Sequence, residues 1–174
     1  MSQDRKPVQV TALNWGVKQS FCSYVETVGG VIETDGGAER RADGAFTFAA
    51  AQDSTLTLDA DGAPAGCGRF LGEVRFHAHG GMLKVCLADP MLEIEGSGAT
   101  LTVADSSART FRLVIAQLDL AAMTAGESGE ILVPAALTID GMQLLGDHYP
   151  PRTPLDPVRL TLAERRGREA QIGS

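Results

Sequence analysis

Apolar residues recur in this chain at two different spacings. Val17, Phe21, Tyr24 and Val28 lie three or four positions apart, which places them on one face of a helix. Asn14 precedes the run and Gly29-Gly30 follows it, so a helix over 15–28 is predicted with Asn14 as its N-cap and the glycines as its stop. Beyond residue 30 the spacing shortens to two, the period of a strand with one buried face. Strands are predicted at 8–12, 31–34, 45–50, 54–59, 91–95, 100–104, 110–120, 137–139 and 158–162. Gly- and Asp-rich turns separate them, and 121–130 reads as a loop. Pro150, Pro151, Pro154 and Pro157 stiffen the approach to the last strand.

The clearest local structure is a hairpin over 68–88 with Gly80-Gly81 as its two-residue loop. That loop pairs His79 with Met82, Ala78 with Leu83, His77 with Lys84, Phe76 with Val85 and Val74 with Leu87. One face is then apolar on both strands, and the other carries Glu73, Arg75, His77, His79, Met82 and Lys84. Agreement between the two strands supports the register, because a one-residue slip would mix the faces. One helix among many short strands implies a mainly β fold: an antiparallel β-sandwich or flattened barrel with one short N-terminal helix. The expected organisation is a flexible lead-in at 1–10, a single domain over 11–162 and a polar tail at 163–174.

Composition narrows the function. A chain of 174 residues can bury a sizeable core. Its net charge of −7 argues against nucleic acid and anionic membranes as partners. No apolar stretch is long enough to span a bilayer, so no membrane insertion is expected. Residues 1–7 have no apolar run behind their charges, and the expected location is the cytoplasm. Cys22, Cys67 and Cys86 have no CxxC spacing and read as reduced, buried thiols. The sequence leaves the oligomeric state open.

Phosphate-binding glycine loops, zinc-protease motifs and nucleophile elbows are absent. His77-Ala78-His79 puts two imidazoles on one strand face, half of a metal site, but no further ligand is evident. A solvated polar face is the better reading of that pair. Tyr24 is one of two tyrosines. On its helical stripe it is either core, with its hydroxyl satisfied by a carbonyl, or a site residue, since a phenol can ligate ferric iron. Tyr149 either anchors the Pro-rich loop or joins such a site. Met82, Met91, Met123 and Met142 read as core filler.

Four blocks carry a family resemblance. Leu13-Asn14-Trp15-Gly16-Val17-Lys18 with Ser20-Phe21-Cys22-Ser23-Tyr24-Val25 resembles the opening of the Htaa domain family, known from bacterial haem-uptake proteins. The hairpin Phe70 to Leu83, the strand Ala88-Asp89-Pro90-Met91-Leu92-Glu93-Ile94, and Tyr149 with Thr153-Pro154-Leu155-Asp156-Pro157-Val158 resemble its later blocks, in the same order. The resemblance implies a haem-binding protein on a β-rich fold. Tyr24 maps onto the axial ligand of the haem iron, His79 onto its supporting histidine and Tyr149 onto a second pocket tyrosine. A free phenol ionises near pH ~10, so ferric iron and a hydrogen-bonded imidazole are what make it a ligand. Phe21, Val28 and Met82 are expected on the porphyrin faces, and Arg75 or Lys84 beside a propionate.

Without export signals in view, the expected role is an intracellular haem carrier. The alternative is a cytosolic lyase, isomerase or hydratase, with Tyr24 and His79 as an acid–base pair on a small apolar substrate in a closed pocket. A third reading is a non-catalytic protein for another small apolar molecule or a protein partner.

Overall fold

The computed structural model describes residues 7–126, 129–146 and 149–163; the tail predicted from 163 lies almost wholly outside them. In chain order the strands begin with β1 (Val8–Trp15), which leads into helix α1 (Gln19–Thr27). Next come β2 (Val31–Asp35), β3 (Glu39–Arg40), β4 (Phe46–Ala50), β5 (Thr57–Leu58), β6 (Pro64–Ala65), β7 (Cys67–Leu71) and β8 (Glu73–Ala78). β9 (Leu83–Glu95), β10 (Gly98–Ala104), β11 (Arg112–Asp119), β12 (Thr124–Ala125) and β13 (Ile131–Leu137) follow, then α2 (Ile139–Leu144) and β14 (Pro154–Leu162).

Eight of these strands close a barrel. The order runs β4, β7, β9, β10, β11, β13, β14, β1, and β1 pairs back onto β4. Every pairing is antiparallel. Closure removes the exposed edges that an open sheet would offer. The interior holds Leu13, Phe48, Phe70, Leu92, Leu101, Ile115, Val133 and Val158, all buried.

The predicted hairpin forms with the predicted register: Ala78 opposes Leu83, His77 Lys84, Phe76 Val85 and Val74 Leu87. Gly80 and Gly81 both have positive φ, and Met82 N donates to His79 O across them at 3.1 Å. This is the mirror-image turn that matches strand twist. The hairpin strand is broken once. Gly72 has φ 133, and there the partner register slips by one residue between the β7 and β8 pairings. The result is a β-bulge, which bends the strand outward. β8 and the first half of β9 therefore leave the barrel as a wing, and β2 adds to its edge. α1 lies against this wing. Phe21 meets Phe76 edge-on at 5.1 Å between ring centres, and Phe76 meets Phe46 at 6.1 Å. Full burial of Phe21 stabilises by roughly 2–3 kcal/mol.

Several expectations change. Asn14 is not a helix cap. It is a buried residue of β1, where Oδ1 accepts from Thr47 Oγ1 at 2.7 Å and Nδ2 donates to Thr161 Oγ1 at 2.8 Å. One amide thus stitches β4, β1 and β14 where the barrel closes, a pairing across 147 residues that local pattern cannot show. α1 starts later than predicted, with extended Lys18 at its N-cap, and Val17 precedes it with φ 60. The strand predicted at 137–139 lies earlier, as β13, and Ile139 opens the second helix, capped by Thr138. Cys22 is buried, but Cys67 and Cys86 are only half-buried; all three are free thiols. Met82 is not filler: it stands 91 % exposed at the hairpin tip.

Candidate functional site

The site grows from α1. Its C-terminus ends in a double hydrogen bond, Gly29 N to Glu26 O at 3.1 Å and Gly30 N to Val25 O at 2.7 Å, with Gly29 at φ 80. This glycine-terminated geometry satisfies the last carbonyls and turns the chain sharply into β2. Its N-terminus is tied to the start of β14. Trp15 Nε1 donates to Asp156 O at 2.7 Å, and Gln19 N to the Asp156 carboxylate at 3.3 Å. Lys18 Nζ donates to Pro154 O at 3.0 Å. The opening and closing sequence blocks are therefore one structural unit, which clamps the helix from its first turn.

Phe21, Cys22 and Val25 face inward, which turns Ser20 and Tyr24 outward together, four residues apart on adjacent turns. Each meets a residue from elsewhere. Tyr24 Oη lies 2.6 Å from His79 Nε2, and Ser20 Oγ lies 2.9 Å from Tyr149 Oη. Lys18 Nζ sits 5.4 Å from the centre of the Tyr149 ring, a cation–π distance. His79 reaches Tyr24 from the hairpin tip because its own φ of 56 swings it out of the strand direction. A non-glycine residue in that region costs about 1–3 kcal/mol and often marks a functional site.

All three sequence candidates, Tyr24, His79 and Tyr149, come together along one side of α1. His77 does not join them. It pairs with Glu33 on β2 at 3.7 Å, on the solvated face. Among the described residues no group of three His, Cys, Asp or Glu could hold a bare metal ion. Phe21 is fully buried in the core and cannot lie on a ligand face, contrary to expectation. Val28 and Met82 are exposed instead and form an apolar rim beside the pair, since Val28 N donates to Tyr24 O and Met82 N to His79 O. Exposed Val31 lies opposite His77, on the solvated face. Arg75 is occupied by Glu73, Glu33 and Asp35, which leaves little of it for an incoming anion.

Sequence reading missed a second polar centre. Glu73 is 3 % exposed at the bulge, where Arg75 and Ser107 donate to its carboxylate and Arg109 lies at 3.3 Å. Burial opposes its ionisation, but the Ser107 and Arg75 hydrogen bonds and the two guanidinium charges outweigh that and hold its carboxyl below the usual range. Arg109 also pairs with Asp89 at 2.7 Å, and Asp89 accepts from Gly72 N at 3.0 Å. The cluster locks the bend that carries the wing away from the barrel. Its only sequence signal was a glycine inside a strand pattern.

Two hollows lined by described residues lie elsewhere. One, about 510 Å³, is bounded by Leu137, Ile139, Pro151 and Arg152; the other, about 220 Å³, by Arg69, Leu71, Met91 and Arg112. Neither includes Tyr24 or His79. Among the described residues no helix is long and apolar enough to cross a membrane.

The Htaa family model matches residues 10–161. The chain belongs to the Htaa family. Solved Htaa structures share its fold. The C-terminal domain of HtaA from Corynebacterium glutamicum is 25 % identical, with 90 % of this chain and 99 % of that one covered and a TM-score of 0.66. The N-terminal domain of the same protein is also 25 % identical at a TM-score of 0.66, covering 91 % of this chain and 100 % of that one. The haem-binding protein HtaB from the same organism is similar in fold, at 20 % identity and a TM-score of 0.62, over 91 % and 95 % of the two chains. No curated protein sequence matches this Htaa domain. The strand-rich sandwich or flattened barrel expected from the sequence takes the form of a closed antiparallel barrel, and this is the fold of the solved Htaa domains.

Proposed function

We propose that this Htaa domain binds ferric haem, with Tyr24 as axial ligand through its phenolate oxygen and His79 as the hydrogen-bond partner of that oxygen. The observation that carries the reading is the 2.6 Å contact between Tyr24 Oη and His79 Nε2. In the metal-free protein the phenol and the imidazole share one hydrogen bond, whose donor is set by the His79 tautomer. Ferric iron is a Lewis acid that favours the phenolate, and His79 is placed to take up or share the released proton. Tyrosine-ligated haem iron has precedent in catalase.

The surroundings suit the group. The Tyr24–His79 bond lies on the exposed side of α1, and exposed Val28 and Met82 flank it. An open apolar rim fits a flat macrocycle better than a small closed pocket would. Ser20, Tyr149 and Lys18 form a second cluster along the same side of the helix, with two hydroxyls and an ammonium to receive a carboxylate. A propionate is such a group, and this cluster replaces Arg75 as its expected partner. The haem-binding function of HtaB supports the same reading.

Titration with hemin tests it. A Soret band shifted from that of free hemin, abolished in Tyr24→Ala, is the expected outcome. Equal binding by wild type and Tyr24→Ala would sink the assignment.

A further inference from the structure

Tyr24 and His79 belong to different elements, 55 residues apart, and something must set the gap between them. Between those elements, against the backbone of both, lies Gly30. It follows the helix stop at Gly29 and precedes Val31, which pairs with His77. A Cβ on Gly30 would lie 2.4 Å from His77 O, 2.7 Å from Val25 O and 2.8 Å from Val25 Cγ1. Two of these are main-chain carbonyls, one on α1 and one on β8, so neither can rotate away. Val25 follows Tyr24 directly, and His77 stands two residues before His79. The bare Cα of Gly30 thus sits where the two site-bearing elements touch.

We propose that Gly30 is the positioning residue of the Tyr24–His79 pair: its missing side chain lets α1 and the β8 hairpin approach until the phenol and imidazole are within hydrogen-bonding distance. The φ of Gly30 lies outside the left-handed region, so an alanine there acts by bulk alone. Relief of a 2.4 Å contact to ordinary separation requires a shift on the order of 1 Å. Such a shift takes a 2.6 Å hydrogen bond beyond its working range. Gly29 supplies the control. Its φ of 80 makes alanine strained there, but a Cβ meets nothing within 4 Å, so Gly29→Ala destabilises without a wedge.

The inference takes the Tyr24–His79 pair from the proposed function, and its first test needs no haem. The imidazole nitrogen resonances of His79 report whether Nε2 takes part in a hydrogen bond. Gly30→Ala is expected to move them to the values of a Tyr24→Phe variant, and Gly29→Ala to leave them at wild type. The second test is hemin affinity. Gly30→Ala and His79→Ala should each lose about 10–100-fold, and the double variant no more than His79→Ala alone, because both act through one bond. Insertion of one glycine between Gly29 and Gly30 lengthens the joint without a side chain and serves if Gly30→Ala does not fold; it should give the same His79 signature. Unchanged His79 resonances in Gly30→Ala, or equal changes in Gly29→Ala, overturn the proposal. Failure of wild type to bind hemin overturns the haem reading instead and leaves the resonance test standing.

Discussion

Tyr24→Phe separates ligation from packing. The substitution deletes one oxygen and keeps the ring that packs against the core beside Phe21 and Val25. The lost hydrogen bond is solvent-exposed, so water replaces the missing partner at His79. A typical net hydrogen bond contributes about 0.5–1.5 kcal/mol, and an exposed one belongs at the low end, about 0.5 kcal/mol. For a domain of this size that lowers the melting temperature by only about 1–2 °C. Hemin affinity should behave differently. Loss of a second-sphere partner costs about 10–100-fold at metal sites, so loss of the ligand itself should cost at least ~100-fold, or ~2.7 kcal/mol. Thermal unfolding followed by circular dichroism gives the first number, and Soret titration the second. A Phe variant that binds hemin within threefold of wild type refutes the ligand assignment. One that melts more than about 8 °C lower shows instead that the hydroxyl is structural.

His79→Ala should keep Tyr24 as ligand but weaken hemin binding by about 10–100-fold, with a shifted Soret maximum; an identical spectrum and affinity would remove His79 from the site. Glu73→Gln should destabilise by about 2–3 kcal/mol, because it leaves Arg75 and Arg109 facing a neutral group, and equilibrium urea unfolding would measure the loss. The depressed carboxyl of Glu73 makes its contribution complete above the unfolded value of about 4.3 and lost as pH falls through its lower folded value. Wild type should therefore lose more melting temperature than Glu73→Gln between neutral pH and about pH 3, and parallel curves would contradict this. Burial pushes the Cys22 thiol up to about 11, against the opposing charge of Arg40, so it stays protonated and shielded at neutral pH. Iodoacetamide should label half-buried Cys67 first, and equal labelling of Cys22 in the native protein would show that α1 opens readily.

How far each feature was legible depended on its range. The hairpin register over Val74–Phe76–Ala78 and Leu83–Val85–Leu87 was readable, because period-two alternation and a two-glycine turn are local signals. So was the helix stop at Gly29-Gly30. Asn14 misled because a polar residue before a helical stripe looks like a cap whatever it touches in space, and its partners lie on β4 and β14. Glu73 looked like surface for the same reason: alternation assigns it a face, but not the loop that brings Ser107 and Arg109 over it.

Sequence alone settled the mainly β character and the polar and apolar faces of the wing, and through four ordered blocks it pointed to the Htaa family. These depend on side-chain periodicity and turn chemistry, which act over a few residues. Tertiary structure decided that Ser20 and Tyr24 present two hydroxyls on one helix face, that Tyr149 meets the first and His79 the second, and that Arg75 is already occupied. Those facts rest on barrel closure and on the bulge at Gly72, which set distances between segments far apart in the chain. No periodicity encodes such distances, because they are fixed by packing of the whole core.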